Sequence, residues 1–327
     1  MKVTVLGAGS WGTALTILLA RNGHDVTLWG RSHEDVEIMR RIRENLHYLP
    51  GFVIPEGVVV TESIEEANPA DMWVVAVPSG AVRQTLRGVE QENPLLVVAA
   101  KGLEMGTALT LAEVAQEVTP GANAGVLSGP NLAIEIVREI PTAAVVAFKD
   151  PEAAERVRTA FLCHSFRIYL SEDVVGVELA GALKNVLAIG AGMSDGLGFG
   201  DNTKGALLAR GLHEMTVLGL AMGAKIETFM GVAGVGDLFA TAVSTLSRNY
   251  RVGRMIGEGM TLNDAVKAVG QVSEGVPTSE AALVLARKHQ VPTPIFEAVE
   301  NVIRGRMKPM EGVARLMERM PKSEGFF

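Results

Sequence analysis

Lys184 and Asn185 stand in the middle of ELAGALKNVLAIGAG, residues 178–192, a stretch otherwise built almost wholly of apolar and small side chains. A buried, unpaired ammonium is expensive, so this lysine needs a task. On a helix, Val177, Gly181, Lys184, Ala188 and Ala191 share one face, and Leu179, Leu183, Val186 and Gly190 share another. The bulky face reads as core. The small face leaves room for something to approach the lysine. Desolvation lowers a lysine's pKa and fits it for acid–base work. The plainer alternative is a snorkelling lysine, or a buried ion pair with Glu178.

Two further groups of residues have chemistry in them. GAGSWG places Gly7, Gly9 and Gly12 in G-x-G-x-x-G spacing, after the strand-like KVTVLG and at the start of a helical pattern. That context is the one a dinucleotide site requires. Gly7 permits the tight turn, Gly9 lets a pyrophosphate reach the backbone, and Gly12 lets helix and strand pack closely. The helix N-terminus then offers free N–H groups to the phosphates. The second strand, DVTLW, ends in Gly30, Arg31, Ser32 and His33, without the carboxylate that usually holds the ribose hydroxyls of NADH. Arg31 is suited to stack on adenine and to meet a 2′-phosphate. NADPH is therefore expected, with NADH tolerated. Downstream, Ser247, Arg248 and Asn249 are adjacent in STLSRNYR, at what reads as a helix end, and can together grip a phosphate. Asp237 follows the glycine-rich turn of GVAGVGDLFAT.

These residues need a frame. In the N-terminal half, short apolar runs such as MWVVAV, LLVVAA, NAGVLS and TAAVVAF alternate with helical patterns. This predicts a doubly wound, mainly parallel α/β sheet. From about residue 172 only helices are expected, near 173–193, 203–222, 228–245, 261–268, 278–288 and 294–303. The domains are drawn as 1–177, dinucleotide-binding, and 178–327, all-helical and substrate-binding. The chain of 327 residues is 48% hydrophobic and 20% charged, with net charge −7, which argues against nucleic acid as a partner. One cysteine, Cys163, rules out an intramolecular disulfide and fits a reducing compartment. Six scattered histidines offer no ligand pairs at metal spacing, so no metal is expected. Mean hydropathy is high at +0.24, yet no uncharged run approaches a membrane span, and no signal peptide precedes the first strand. A cytoplasmic protein is expected.

With these stretches in view, the chain resembles bacterial NAD(P)-dependent glycerol-3-phosphate dehydrogenases over essentially its whole length. The resemblance rests on residues 7–15, AAKGLE at 99–104, SGPN at 128–131, VELAGALKNV at 177–186, GDNTKGAL at 200–207, GVGDL at 234–238, LSRN at 246–249 and SEGVPT at 273–278. It implies an N-terminal Rossmann domain, an all-α substrate domain and a homodimer. It also implies interconversion of dihydroxyacetone phosphate and sn-glycerol 3-phosphate, the entry to phospholipid backbones. In this sequence it makes Lys184 the proton acceptor and donor. Lys101 would lie beside cofactor and substrate, and Asp237 and Thr241 would orient Lys184 and the substrate. Ser247, Arg248 and Asn249 would hold the phosphate, with Gly129 and Asn131 in the same pocket. The cofactor set adds Ser10, Trp11, Arg31, Ser32, Ala133, Val272 and Glu274 to the three glycines, with Lys101 and Arg248 shared. Departures exist: Asn131 and Leu132 stand where the family often has Ser or Thr and then Phe. Ser32 stands where a second basic residue often follows Arg31, and the cysteine common after the Gly-Asp-Leu turn is replaced.

The resemblance also implies that Lys184 lies where the helical domain meets the nicotinamide, with Lys101 near enough to lower its pKa by repulsion and the substrate phosphate offsetting this. Two other readings remain at this level. A 6-phosphogluconate or 3-hydroxyacid dehydrogenase relative would act on a carboxylate-bearing substrate. A redox-sensing dinucleotide module would bind without turnover, and would leave Lys101, Lys184 and Asp237 without a purpose.

Overall fold

The computed structural model describes residues 1–320. The chain divides into two compact units, Met1–Lys101 with Thr110–Val174, and Gly102–Leu109 with the chain from Val175 onward. The short loop 102–109 thus belongs with the helical unit, and Leu103 and Ala108 join its core.

In the first unit the strands are β1 (Lys2–Leu6), β2 (Asp25–Trp29), β3 (Glu44–Asn45), β4 (Leu49–Val53), β5 (Val59–Thr61), β6 (Met72–Val75), β7 (Leu95–Val98), β8 (Asn123–Ser128), β9 (Thr142–Ala147) and β10 (Phe166–Ser171). Its helices are α1 (Ser10–Arg21), α2 (His33–Ile42), α3 (Val82–Leu86), α4 (Leu111–Val118), α5 (Ala133–Val137) and α6 (Pro151–Phe161). Eight strands form one sheet in the order β10-β9-β8-β7-β6-β1-β2-β5, while β3 and β4 make a separate antiparallel ribbon. Every pairing in the large sheet is parallel except β8 with β9. The chain builds outward from β1 through β2 to β5, then returns to place β6 on the other side of β1. The carboxyl ends of β1 and β6 therefore flank a switch point, where such sheets bind ligands. The continuous apolar runs lie where they should, since every residue of β6 and β7 is buried. β10 was not foreseen. Its Phe166 and Ile168 are buried while Arg167 and Tyr169 are exposed, the alternation of an edge strand rather than a buried run.

In the second unit the helices are α7 (Val174–Gly196), α8 (Asp201–Ala221), α9 (Ile226–Met230), α10 (Asp237–Val243), α11 (Arg248–Gly257), α12 (Leu262–Val269), α13 (Gly275–Lys288), α14 (Pro294–Ile303) and α15 (Pro309–Met317). The single helix expected over 228–245 is three pieces, because a π-helical turn at Val232–Gly236 separates α9 from α10. A Cβ on Gly234 would lie 2.1 Å from the Phe229 carbonyl oxygen, so only glycine fits this turn. α11 and α15 were not anticipated. α7 is long and apolar enough to cross a membrane by length and composition, but 94% of its most apolar window is buried inside the protein. It is a core helix. Leu179, Leu183 and Val186 are fully buried as expected, and so are Val177, Ala188 and Ala191 on the small face. The small residues serve close packing: a Cβ on Gly192 would lie 2.1 Å from the Tyr250 carbonyl oxygen, and one on Gly253 would lie 2.0 Å from that of Ile189. α7 and α11 thus touch backbone to backbone.

Candidate active site

The glycine turn between β1 and α1 is shaped by the protein's own backbone at two of its three glycines. Gly7 has φ +119°, and a Cβ there would press on the Ala76–Val77 peptide at 2.8 Å. One on Gly12 would sit 1.8 Å from the Gly7 oxygen. A Cβ on Gly9 would meet no protein atom within 4 Å, so packing does not explain this glycine, and a ligand approaching the start of α1 does. Gly9 is the N-cap of α1, and Ser10 and Trp11 open the helix. Trp11 Nε1 donates to the Ala99 oxygen at 3.1 Å, fixing the helix start to the end of β7. Asn45, which belongs to no motif in the sequence, braces the turn by donating to the Ala8 oxygen at 2.9 Å and to Thr13 Oγ1 at 2.8 Å. The residues present fit a dinucleotide.

Arg31 lies past the end of β2 with its side chain exposed, and Ser32 caps α2 by accepting from the Asp35 N–H at 3.3 Å. Past the end of β7, Lys101 Nζ donates to the Gly129 oxygen at 2.6 Å. Gly129 has φ +138°, a conformation glycine alone adopts readily. Two residues on, Asn131 has both amide atoms out of solvent and bonded to no other residue. Buried polar atoms of this kind are usually satisfied by something, and a bound ligand fits. Ala133 begins α5 two residues further on, after the N-cap Leu132.

In the helical unit, Lys184 is 5% exposed, and its ammonium donates to Asp237 Oδ1 at 2.7 Å and to Thr241 Oγ1 at 2.5 Å. Thr241 in turn donates to Asp237 Oδ1 at 3.2 Å. Asp237 starts α10 immediately after the π-helical turn, and Thr241 is one helical turn further on, so both oxygens face the same way. Lys184 thus pairs with Asp237, a residue tied to it in the sequence only by the family resemblance.

Ser247, Arg248 and Asn249 were expected at a helix end and instead open α11. Ser247 is the N-cap, accepting from the Tyr250 N–H at 3.3 Å. Burial pushes the Arg248 guanidinium down, while the charge of Glu274 acts in the opposite direction. Asn249 donates from Nδ2 to Asn185 Oδ1 at 2.8 Å, and its Oδ1 accepts from Ser273 Oγ at 2.6 Å and from the Gly275 N–H at 2.9 Å. Asn249 therefore joins α7, α11 and the segment carrying Val272 and Glu274. Asn185 is the second polar misfit of the α7 sequence, and this bond explains it. Tyr250 adds a further anchor, donating to Asp195 Oδ2 at 2.6 Å, and Lys204 pairs with the same carboxylate at 2.8 Å.

A parallel sheet with a glycine turn at its switch point, together with an all-helical unit that buries a lysine on a carboxylate and a hydroxyl, defines a nicotinamide-dependent oxidoreductase. The family model described as NAD-dependent glycerol-3-phosphate dehydrogenase N-terminus matches residues 2–154, and the corresponding C-terminus model matches residues 173–314. A relative from Thermoanaerobacter named glycerol-3-phosphate dehydrogenase [NAD(P)+] is 47% identical, with 99% of each chain covered. One of the same name from Geobacter is 46% identical, again over 99% of each. The solved glycerol-3-phosphate dehydrogenase of Coxiella burnetii is 34% identical, covers 97% of this chain and 99% of its own, and has a TM-score of 0.94. The chain belongs to the NAD(P)-dependent glycerol-3-phosphate dehydrogenase family.

Proposed function

We propose that Lys184 is the acid–base group of the family's reaction, the interconversion of dihydroxyacetone phosphate and sn-glycerol 3-phosphate with NADPH or NADH. The observation that carries this assignment is the Lys184–Asp237–Thr241 cluster, in which two contacts fix the direction of a buried ammonium. When bound, the nicotinamide supplies the hydride that reaches the carbonyl carbon. Lys184 gives its proton to the carbonyl oxygen, which becomes the secondary hydroxyl, and recovers a proton from solvent. In the reverse direction the neutral amine takes the hydroxyl proton. Asp237 and Thr241 set the angle of that transfer, and orientation of this kind lowers the barrier substantially.

The substrate phosphate is held at the start of α11, where Ser247, Arg248 and Asn249 combine a charged fork with the free N–H groups of a helix N-terminus. Asn249 spends one of its two amide hydrogens on Asn185, leaving one for the phosphate. Lys101, Gly129 and Asn131 complete the substrate contacts. Gly7, Gly9, Ser10, Trp11, Gly12, Arg31, Ser32 and Ala133 hold the cofactor, with Lys101, Arg248, Val272 and Glu274. NADPH is preferred because Arg31 favours a 2′-phosphate. The enzyme works in the cytoplasm as a homodimer, and its product feeds phospholipid synthesis.

Initial rates with dihydroxyacetone phosphate and with unphosphorylated dihydroxyacetone test this reading, with each of the two cofactors. A preference of several orders of magnitude in kcat/KM for the phosphorylated ketone is expected. Comparable rates with both ketones would remove the phosphate site and the substrate assignment with it.

A further inference from the structure

The carboxylate missing from the end of β2 is present one strand away. β5 pairs with β2 in parallel, with Thr61 opposite Trp29. The Gly30 N–H donates to the Thr61 oxygen at 2.9 Å, and Trp29 Nε1 donates to the Glu62 oxygen at 2.9 Å. These bonds fix Glu62 beside the Gly30–Arg31 segment. Its carboxylate faces His33, the first residue of α2, whose Nδ1 lies 2.9 and 3.1 Å from the two oxygens. The pair is solvent-exposed, with side chains 74% and 40% accessible.

We propose that His33 and Glu62 decide how strongly the enzyme prefers NADPH to NADH. With His33 protonated, the pair is neutral and Arg31 receives the 2′-phosphate. With His33 neutral, the Glu62 carboxylate stands uncompensated. It then repels a 2′-phosphate and accepts from the ribose 2′-hydroxyl of NADH, the task an acidic residue at the end of the second strand performs elsewhere. One chain thus carries a determinant for each cofactor and a titratable group between them. The proposal rests on the reading that the adenosine ribose of the cofactor lies at the end of β2.

The groups around His33 favour its protonated form. Its hydrogen bond to Glu62, that residue's charge and Glu37 hold the imidazole above its ordinary 6.5, while Arg40 acts against them. Arg40 is itself paired with Glu37 at 2.6 Å and donates to the Val60 oxygen at 2.8 Å. Arg31, Glu34 and Asp35 are its neighbours in the chain, and Asp35 lies 3.9 Å from His47. No other histidine is bonded to Glu62 among the described residues.

Binding of NADPH and NADH, followed by fluorescence from pH 6 to 9 at fixed ionic strength, tests this without turnover. The ratio of the two Kd values is compared among the parent, Glu62→Gln, His33→Gln and Arg31→Gln. In the parent, the preference for NADPH should fall about two- to fivefold as pH rises, the span of an exposed charge pair. Glu62→Gln should hold the high preference at every pH. His33→Gln should hold the low one. The phosphate's own titration, near pH 6, is common to all four proteins and cancels between them. A Glu62→Gln ratio matching the parent in size and slope overturns the proposal, as does a His33→Gln protein that tracks the parent. If Arg31→Gln abolishes the preference while Glu62→Gln changes nothing, the Arg31 reading stands and this proposal falls. If Glu62→Gln moves the ratio and Arg31→Gln does not, the pair is upheld and the Arg31 contact is what fails.

Discussion

The glycine turn and the lysine cluster are built by opposite means. The turn is six contiguous residues, and what it presents is backbone: N–H groups at the start of α1, reached because Gly9 has no Cβ. The cluster is three side chains, with Asp237 and Thr241 lying 53 and 57 positions beyond Lys184. A site made of backbone is damaged by adding atoms. A site made of side chains is damaged by removing them. Each construction therefore has its own way of failing.

The sharpest contrast is Lys184→Met, which should lower kcat about 10²- to 10⁴-fold, the span of a general acid–base group. It also removes the ammonium from Asp237, 1% exposed, whose Oδ1 keeps its bond from Thr241. Breaking a buried ion pair costs about 3–5 kcal/mol, so Tm should fall as well. Lys184→Met with Asp237→Asn should recover much of the Tm and none of the turnover. Thermal unfolding and steady-state rates on the two proteins separate the roles.

A second side-chain device lies within the helical unit. Glu214 on α8 is 6% exposed and caps α14, accepting from the Ile295 N–H at 2.9 Å and the Phe296 N–H at 3.3 Å. Burial pushes its carboxyl up to about 7, against the pull of those two N–H groups. Between about pH 4.5 and 7, the folded chain keeps a proton that the unfolded chain has released. Stability should therefore decline as pH rises through that window and level off above it, by up to about 3 kcal/mol from this group. Denaturant unfolding at pH 5, 6 and 8 should show the slope, and Glu214→Gln should flatten it.

The backbone site gives a finer comparison. Gly9→Ala should leave Tm within error, because its Cβ meets no protein atom, yet weaken cofactor binding about tenfold or more by standing where the pyrophosphate must come. Gly12→Ala, with its Cβ 1.8 Å from the Gly7 oxygen, should lose stability first. If both behave alike in calorimetry and cofactor titration, the distinction between the two glycines is wrong. The smallest kinetic effect is expected from Gly192→Ala, which should also lose stability because its Cβ would lie 2.1 Å from the Tyr250 oxygen. Its Cβ would push α11 away from α7 at Tyr250. The KM for dihydroxyacetone phosphate should rise a few-fold, with the KM for NADPH nearly unchanged.

The same contrast governs what the sequence displays. The glycine turn is legible because its residues are contiguous and follow a recognisable strand. Lys184 is legible as a misfit in an apolar run, but its partner is not: Glu178 is nearer in sequence, and only the fold brings Asp237 to it. Asn185 stays unexplained until Asn249 meets it from 64 positions away. α11 was missed for a related reason. Gly253 and Gly257 weaken its helical pattern, yet they are what allows it to lie against α7. The carboxylate at Glu62 was invisible because strand order, not chain order, puts it beside β2.

The central claim is that Lys184 moves the proton. Lys184→Ala, assayed with NADPH and dihydroxyacetone phosphate in the presence of small primary amines, tests it most directly. The account predicts turnover restored by the amines, rising with their concentration and varying systematically with their pKa, while NADPH binding equals that of the parent. Turnover within a few-fold of the parent without amine, or a dead variant that binds both ligands and ignores every amine, would contradict it.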